Sequence, residues 1–299
     1  METTNIIEIR DLSTGYSTKK EEKIIGAHLN GELHSGDFVC LLGPNGCGKS
    51  TLLKTLSGLQ PSIHGSVIIQ NILLPNYKPK ELSKVVSIVL TDNSKLGGMT
   101  AYDVVSMGRS PYTGFWGVLT DKDQLIVDKC MQWVGVSDLK DRQMSNLSDG
   151  ERQKVMIAKS IAQETPIILL DEPTSFLDHP SKVSTMQMLH RLAKSKNKTI
   201  ILSTHDISTA LQISDRIWIL DPDEGLVSGI PEDLCKDGYI DKYFVGEGMY
   251  FDKPSCSFHV QYKTAREILL EGDDELDEYQ LVRRALIRNG IKPIHSMKE

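Results

Sequence analysis

Gly43-Pro44-Asn45-Gly46-Cys47-Gly48-Lys49-Ser50 has the spacing of a loop built to hold phosphates. Glycines at 43, 46 and 48 permit a tight path in which backbone N–H groups turn toward a polyanion. Lys49 can reach the β- and γ-phosphates of a nucleoside triphosphate, and the Ser50 hydroxyl, followed by Thr51, can ligate Mg2+. Farther along, Asp171 and Glu172 stand directly after four apolar residues, Ile167 to Leu170. Asp171 can hold the shell of a Mg2+ ion through water, and Glu172 can polarise an attacking water, a role worth about 10²–10⁴ in rate. His205 follows a second apolar run, Thr199 to Leu202. On residue type alone it is a structural hydrogen-bonder as readily as a catalyst.

These groups need elements that bring them together. Phe38 to Leu42 reads as a short buried strand entering the loop, and Lys49 to Leu56 as a helix whose N-terminus faces the phosphates. Val86 to Leu90, Ile167 to Leu170 and Thr199 to Leu202 read as further buried strands. Ser148 precedes a helix from about Gly150 to Gln163, where its hydroxyl, a backbone N–H and the positive helix end can address a phosphate. An ordinary N-cap satisfies the same residues.

Leu147-Ser148-Asp149-Gly150-Glu151 between the loop and the acidic pair, with Ser203-Thr204-His205-Asp206 closing the set, resembles the ATP-binding cassette family over roughly residues 1–235. The resemblance implies a P-loop NTPase (RecA-like) α/β core with an antiparallel β subdomain and an inserted helical subdomain. It implies ATP and Mg2+ as ligands and ATP hydrolysis as the reaction. It also assigns roles. His205 contacts the γ-phosphate and orients the water; Tyr16 stacks on adenine; Ser148 and Gly150 meet ATP held by a second copy. Asp178 matches the loop that crosses to that partner, although capping ahead of Pro180 explains it equally. The commonest signature is Leu-Ser-Gly-Gly-Gln, so Asp149 and Glu151 depart from it, and Asp149 must point away from the phosphate. Thr91 stands where the family has a Gln, and its hydroxyl can still touch Mg2+ or the water.

Met99 to Val105 and Gly108-Arg109-Ser110-Pro111-Tyr112 are similar to text in importers of iron–siderophore, haem and cobalamin compounds. The resemblance therefore points to an importer subunit working as a homodimer beneath a membrane permease, served indirectly by a substrate-binding protein. A soluble cassette protein or an exporter subunit is the alternative. A permease helix is expected to dock near Thr91 to Trp116, with Tyr112, Phe115 and Trp116 as candidate contacts.

Composition narrows the field. A net charge of −6 provides no basic footprint for nucleic acid. No window approaches the roughly 18 apolar residues of a membrane span, and Met1 to Asn5 lacks a signal-peptide core. Five cysteines, at 40, 47, 130, 235 and 256, have no metal-ligand spacing and suit a reducing compartment. Together these suit a soluble, intracellular protein, and the resemblance implies a cytoplasmic place, peripheral on the inner face of the membrane.

The 299 residues divide into a cassette over 1–237, with a helical insertion at about 92–147, and a small α+β extension over 238–299. Asp121 to Val134 is the clearest amphipathic helix of the insertion. In the extension, Met249 to Phe251 and Ser257 to Gln261 read as strands, and Leu276, Tyr279, Val282 and Leu286 share helical spacing. The acidic run Glu271 to Glu278 reads as the solvated start of that helix, and Ile291-Lys292-Pro293 as its end. Such an add-on could regulate, dimerise or cover an edge.

Overall fold

The computed structural model describes residues 5–17, 21–90, 98–114, 116–221 and 224–296. Two compact units make up the chain, Met1–Leu234 and Cys235–Glu299.

In the first unit, β1 (Asn5–Ser17) and β2 (Glu22–His34) form a long antiparallel pair whose register shifts several times. β3 (Phe38–Leu42) then leads through the glycine-rich loop into α1 (Lys49–Leu56), the limits expected from the sequence. β4 (His64–Ile69) and β5 (Ile72–Leu73) complete an antiparallel sheet ordered β2-β1-β4-β5. The short α2 (Pro79–Leu82) precedes β6 (Val86–Val89).

The insertion holds α3 (Ala101–Ser106) and α4 (Asp121–Val134), and α5 (Asp149–Ala162) packs against both. All three helices open on the same device. Thr100 with Asp103, Thr120 with Asp123, and Ser148 with Glu151 each form a capping box, so orphan N–H groups of the first turn are satisfied reciprocally.

The second half alternates β7 (Ile167–Leu170), α6 (His179–Lys196), β8 (Thr199–Ser203), α7 (Ile207–Ile213), β9 (Arg216–Asp221) and β10 (Gly225–Gly229). The central sheet runs β10-β9-β3-β8-β7-β6; every neighbour pair is parallel except β9 with β10. β3, β7 and β8 are buried at every residue, as a sheet covered on both faces requires. Leu41, Leu52, Leu169, Ile201 and Trp218 share one core cluster that also takes in Leu12 and Leu29 of the antiparallel sheet. A buried side chain of this size contributes about 1.5–3 kcal/mol.

α8 (Pro231–Lys236) leads into the second unit, which contains α9 (Tyr239–Phe244) and the hairpin β11 (Met249–Asp252) with β12 (Ser257–Val260). After the hairpin, β13 (Arg266–Glu271), α10 (Asp277–Arg288) and β14 (Ile291–Ser296) form a parallel strand–helix–strand. The helix expected from the apolar spacing forms as α10 and ends before Ile291. Ile291 to Pro293, beyond its end, starts β14, and Pro293 sits in a two-stranded sheet where its missing N–H is tolerated. Of the helical apolar set, Tyr279 is buried, whereas Leu276 and Val282 are exposed.

Candidate functional site

Because β3 pairs with β8 and β8 with β7, the segments leaving their carboxyl ends emerge side by side. Those segments are the glycine-rich loop, Thr204-His205 and Asp171-Glu172. Ligands of open α/β sheets bind at such an edge.

The loop is held from behind. Gly43 has φ +149°, and a Cβ there would lie 2.6 Å from the Leu220 carbonyl oxygen and 2.7 Å from Cys47 Sγ. Gly48 has φ +106°, and a Cβ there would meet Ile25 of β2 at 2.6 Å. The Lys49 ammonium is buried beneath the loop and donates to the carbonyls of Gly43 at 2.8 Å and Pro44 at 3.0 Å. Pro44, Asn45, Gly46 and Ser50 are exposed, whereas Thr51 faces the core. Cys47 is also nearly buried, and burial raises its thiol pKa above the ordinary value. Tyr16 pairs with Lys23 across β1 and β2 and presents a half-exposed ring.

At the end of β7, the Asp171 carboxylate is buried and accepts a hydrogen bond from Ser203 Oγ at 2.8 Å. The same hydroxyl accepts from the Glu172 backbone N–H at 2.8 Å, so Ser203 fixes both acidic residues. Glu172 has φ +48°, a left-handed conformation uncommon for a residue with a Cβ. Its carboxylate oxygen Oε1 lies 2.6 Å from His205 Nε2. The expected base and the histidine expected to orient the water are thus in direct contact. The sequence reading did not single out Ser203. Its signal was a lone polar residue closing an otherwise apolar strand, Thr199–Ser203.

A hydroxyl at Ser50 and a carboxylate at Asp171 are hard oxygen donors of the kind Mg2+ takes. Thr91, the third expected metal contact, lies outside the described residues, as does Phe115.

Ser148 caps α5 and is bound on both sides by Glu151. Its backbone N–H and its Oγ each donate to Glu151 Oε2 at 2.8 Å, and its Oγ accepts from the Glu151 N–H at 3.3 Å. These backbone and hydroxyl donors hold Glu151 below the usual carboxylate range. Asp149 pairs with Arg152, whose guanidinium also donates to the Leu147 carbonyl. A Cβ on Gly150 would meet Leu177 Cδ2 at 3.0 Å and the Phe176 carbonyl oxygen at 3.1 Å. Gly150 therefore lets the start of α5 lie directly on the segment before Asp178. Asp178 caps α6 by accepting from Ser181 N–H at 3.1 Å, which accounts for the capping reading of that residue.

A cavity of about 880 Å3 opens between the antiparallel sheet, α2 and the C-terminal end of α5, lined by Leu59, Leu74, Tyr77, Leu82, Lys159 and Gln163 among others. Its described lining draws on residues 55–88 and 159–163; of the stretch Thr91 to Trp116 expected to hold the docking groove, residues 91–97 and 115 lie outside the described residues. Tyr112 reaches one of its lining residues, donating from its hydroxyl to the Gln163 carbonyl at 3.0 Å, and lies under the Arg109 guanidinium at 4.3 Å. Arg109 is buried and donates to Asp123 at 2.9 Å, the Ala162 carbonyl at 2.7 Å and Glu164 at 2.8 Å. Trp116 is 86% exposed, so it does not pack into a local core.

A phosphate loop, an acidic pair and a histidine at one edge of a parallel sheet define a P-loop ATPase. The family model for the ABC transporter domain matches residues 27–175. An ABC transporter ATP-binding protein from Methanocaldococcus jannaschii is 37% identical over 80% of this chain and 81% of its own length. The ferric enterobactin transport ATP-binding protein of Escherichia coli is 32% identical over 77% of this chain and 85% of its own. The iron(3+)-hydroxamate import ATP-binding protein of Bacillus subtilis is 34% identical over 70% and 77%. Among solved structures, a metal-chelate type ABC transporter in an inward-facing conformation superposes with a TM-score of 0.66 at 28% identity, covering 77% of this chain and 85% of that one. A dimeric cassette in a post-hydrolysis state with ADP and Pi gives 0.68 at 26%, covering 75% and 98%. The chain belongs to the ATP-binding cassette family and is one of its ATPases. Among the described residues no helix is long and apolar enough to cross a membrane.

Proposed function

We propose that this protein is the ATP-hydrolysing subunit of an importer for an iron–siderophore, haem or cobalamin-type compound. The observation that carries the reading is the Glu172–His205 contact at the sheet edge, in a chain whose relatives are named for siderophore import. Loop N–H groups and Lys49 hold the phosphates of ATP, and Tyr16 stacks on its base. Ser50 and Asp171 hold Mg2+, which neutralises phosphate charge when bound. Glu172 takes the proton of the attacking water while His205 orients that water against the γ-phosphate. Phosphoryl transfer of this kind rests on positioning and charge stabilisation.

Two copies bind two ATP between them, with Ser148, Gly150 and Asp178 of each facing the partner's nucleotide. Closure of the pair drives a permease whose cytoplasmic helix lies in the cavity beside Tyr112. The exposed Trp116 and the apolar lining of that cavity support this docking face. A substrate-binding protein delivers cargo to the far side, and the ATPase sits peripherally on the cytoplasmic face. Residues 1–237 form the cassette in this reading and 238–299 an extension.

The test is a gentle-detergent pull-down of tagged Glu172→Gln protein with ATP present. Co-purification of a polytopic permease supports the reading. Repeated recovery of soluble partners alone, with the ATP-trapped dimer confirmed, overturns it.

A further inference from the structure

The second unit contains a cavity of about 620 Å3 between the β11–β12 hairpin and one face of α10. From α10 it is lined by Gln280, Arg283, Arg284, Ile287 and Arg288. Residues 280, 284 and 288 stand four apart, as do 283 and 287, so the three guanidiniums share one side of the helix. No ion-pair or hydrogen-bond partner engages these three arginines among the described residues. The opposite wall is aromatic. Tyr250 and His259 are cross-strand partners with stacked rings, 5.4 Å apart and inclined by 21°. His259 Nε2 lies 2.8 Å from Ser257 Oγ, which fixes the ring, and Phe258 and Tyr262 add two further rings to the lining. Asp252 supplies the one carboxylate of the lining, and its oxygen is occupied by the Ser255 N–H at 3.1 Å.

Cations near a helix C-terminus complement the macrodipole, and this accounts for Arg288, the basic residue of the last turn. It does not account for Arg283 and Arg284 one turn earlier, nor for rings facing the row. Guanidiniums in a row suit adjacent phosphates, which they grip with paired donors. Tyrosine and histidine faces suit stacking on a planar ring. The volume lies within the roughly 300–1,000 Å3 of small-ligand pockets and far exceeds what a lone phosphate fills.

We propose that the C-terminal unit binds a nucleoside polyphosphate, its phosphates on Arg283, Arg284 and Arg288 and its base against Tyr250 and His259. Its lining shares no residue with the glycine-rich loop, and the proposal does not rest on the importer reading.

The experiment is isothermal titration of the full-length protein carrying Lys49→Ala, so that the hydrolytic loop does not dominate, with ADP as probe. ADP is expected to bind, and adding Arg284→Ala with Arg288→Ala should weaken it ~10-fold or more while leaving the melting midpoint unchanged, since both side chains are exposed. Tyr250→Ala should weaken ADP but not inorganic pyrophosphate. Four outcomes overturn the proposal: no ADP binding; binding indifferent to the arginine pair; pyrophosphate binding as tightly as ADP; or arginine-dependent binding to phosphatidylglycerol vesicles without binding of ADP.

Discussion

Glu151→Gln restores the commoner residue at the end of the signature and should tighten the ATP-bound dimer. In the protein as it stands, the Ser148 hydroxyl gives its proton to a carboxylate at 2.8 Å. In the proposed dimer a partner's γ-phosphate takes that same proton, so closure must redirect a charge-assisted bond. Such bonds are worth about 1.5–3 kcal/mol against about 0.5–1.5 for a neutral one, a difference near 1 kcal/mol. Glu151 is about a third exposed, which trims the difference to roughly 0.5–1 kcal/mol per site. A homodimer has two such sites, so about 1–2 kcal/mol in total, or about 5- to 30-fold in the dimer dissociation constant. Gln still completes a capping box, so α5 should keep its N-terminus and the protein its stability. The assay is analytical ultracentrifugation with ATP in a Glu172→Gln background, comparing proteins with and without the added Glu151→Gln change. Because Ser148 keeps Glu151 ionised below the usual carboxylate range, mild acid near pH 6 should not reproduce the gain. An unchanged or weaker dimer, with the fold intact by circular dichroism, would refute the reasoning.

Other changes test neighbouring parts of the structure. Arg109→Ala strips the buried Asp123 and the Ala162 carbonyl of a shared donor and should cost about 3 kcal/mol, measurable by urea titration; a loss under about 1 kcal/mol would show that Thr120 alone satisfies Asp123. Maleimide labelling of Cys47 should be slow at neutral pH and rise ~10-fold per pH unit up to the raised thiol pKa, with ATP hydrolysis lost in step; fast labelling at pH 7 would contradict the burial of that thiol. Asp103, Asp123 and Glu151 all titrate below their ordinary values because of their caps. Depressed carboxylates stabilise above the unfolded pKa and lose that contribution as pH falls through the folded one. The helical insertion should therefore loosen below about pH 4, seen as early hydrogen exchange in α3 to α5.

The catalytic edge was largely legible because its signals are local. A buried strand, a glycine-rich loop and a helix follow one another within residues 38–56, and each apolar strand announces the polar group that leaves it. What the sequence hid were contacts across distance. The Ser203 hydroxyl binding two acidic neighbours depends on the β7–β8 register, which no single stretch encodes. The fate of Asp149 depended on which way Arg152 turned, and the cavity beside Tyr112 is made by residues far apart in the chain. The capping boxes at 100–103 and 120–123 went unread in the sequence, because their weight shows only where the helices they start share a lobe. The extension read least well because its elements are short and expose apolar residues such as Leu269 and Leu281, so burial periodicity carries little there.

The left-handed backbone at Glu172 sets geometry against chemistry at a single position. A glycine would relieve a conformational cost of about 1 kcal/mol, yet would delete the proposed base. Selection for heat resistance alone should thus drift toward Glu172→Gly, a sturdier protein that no longer turns over. Any stability screen on this chain needs a phosphate-release readout beside it, because one of its strained positions carries the proposed base.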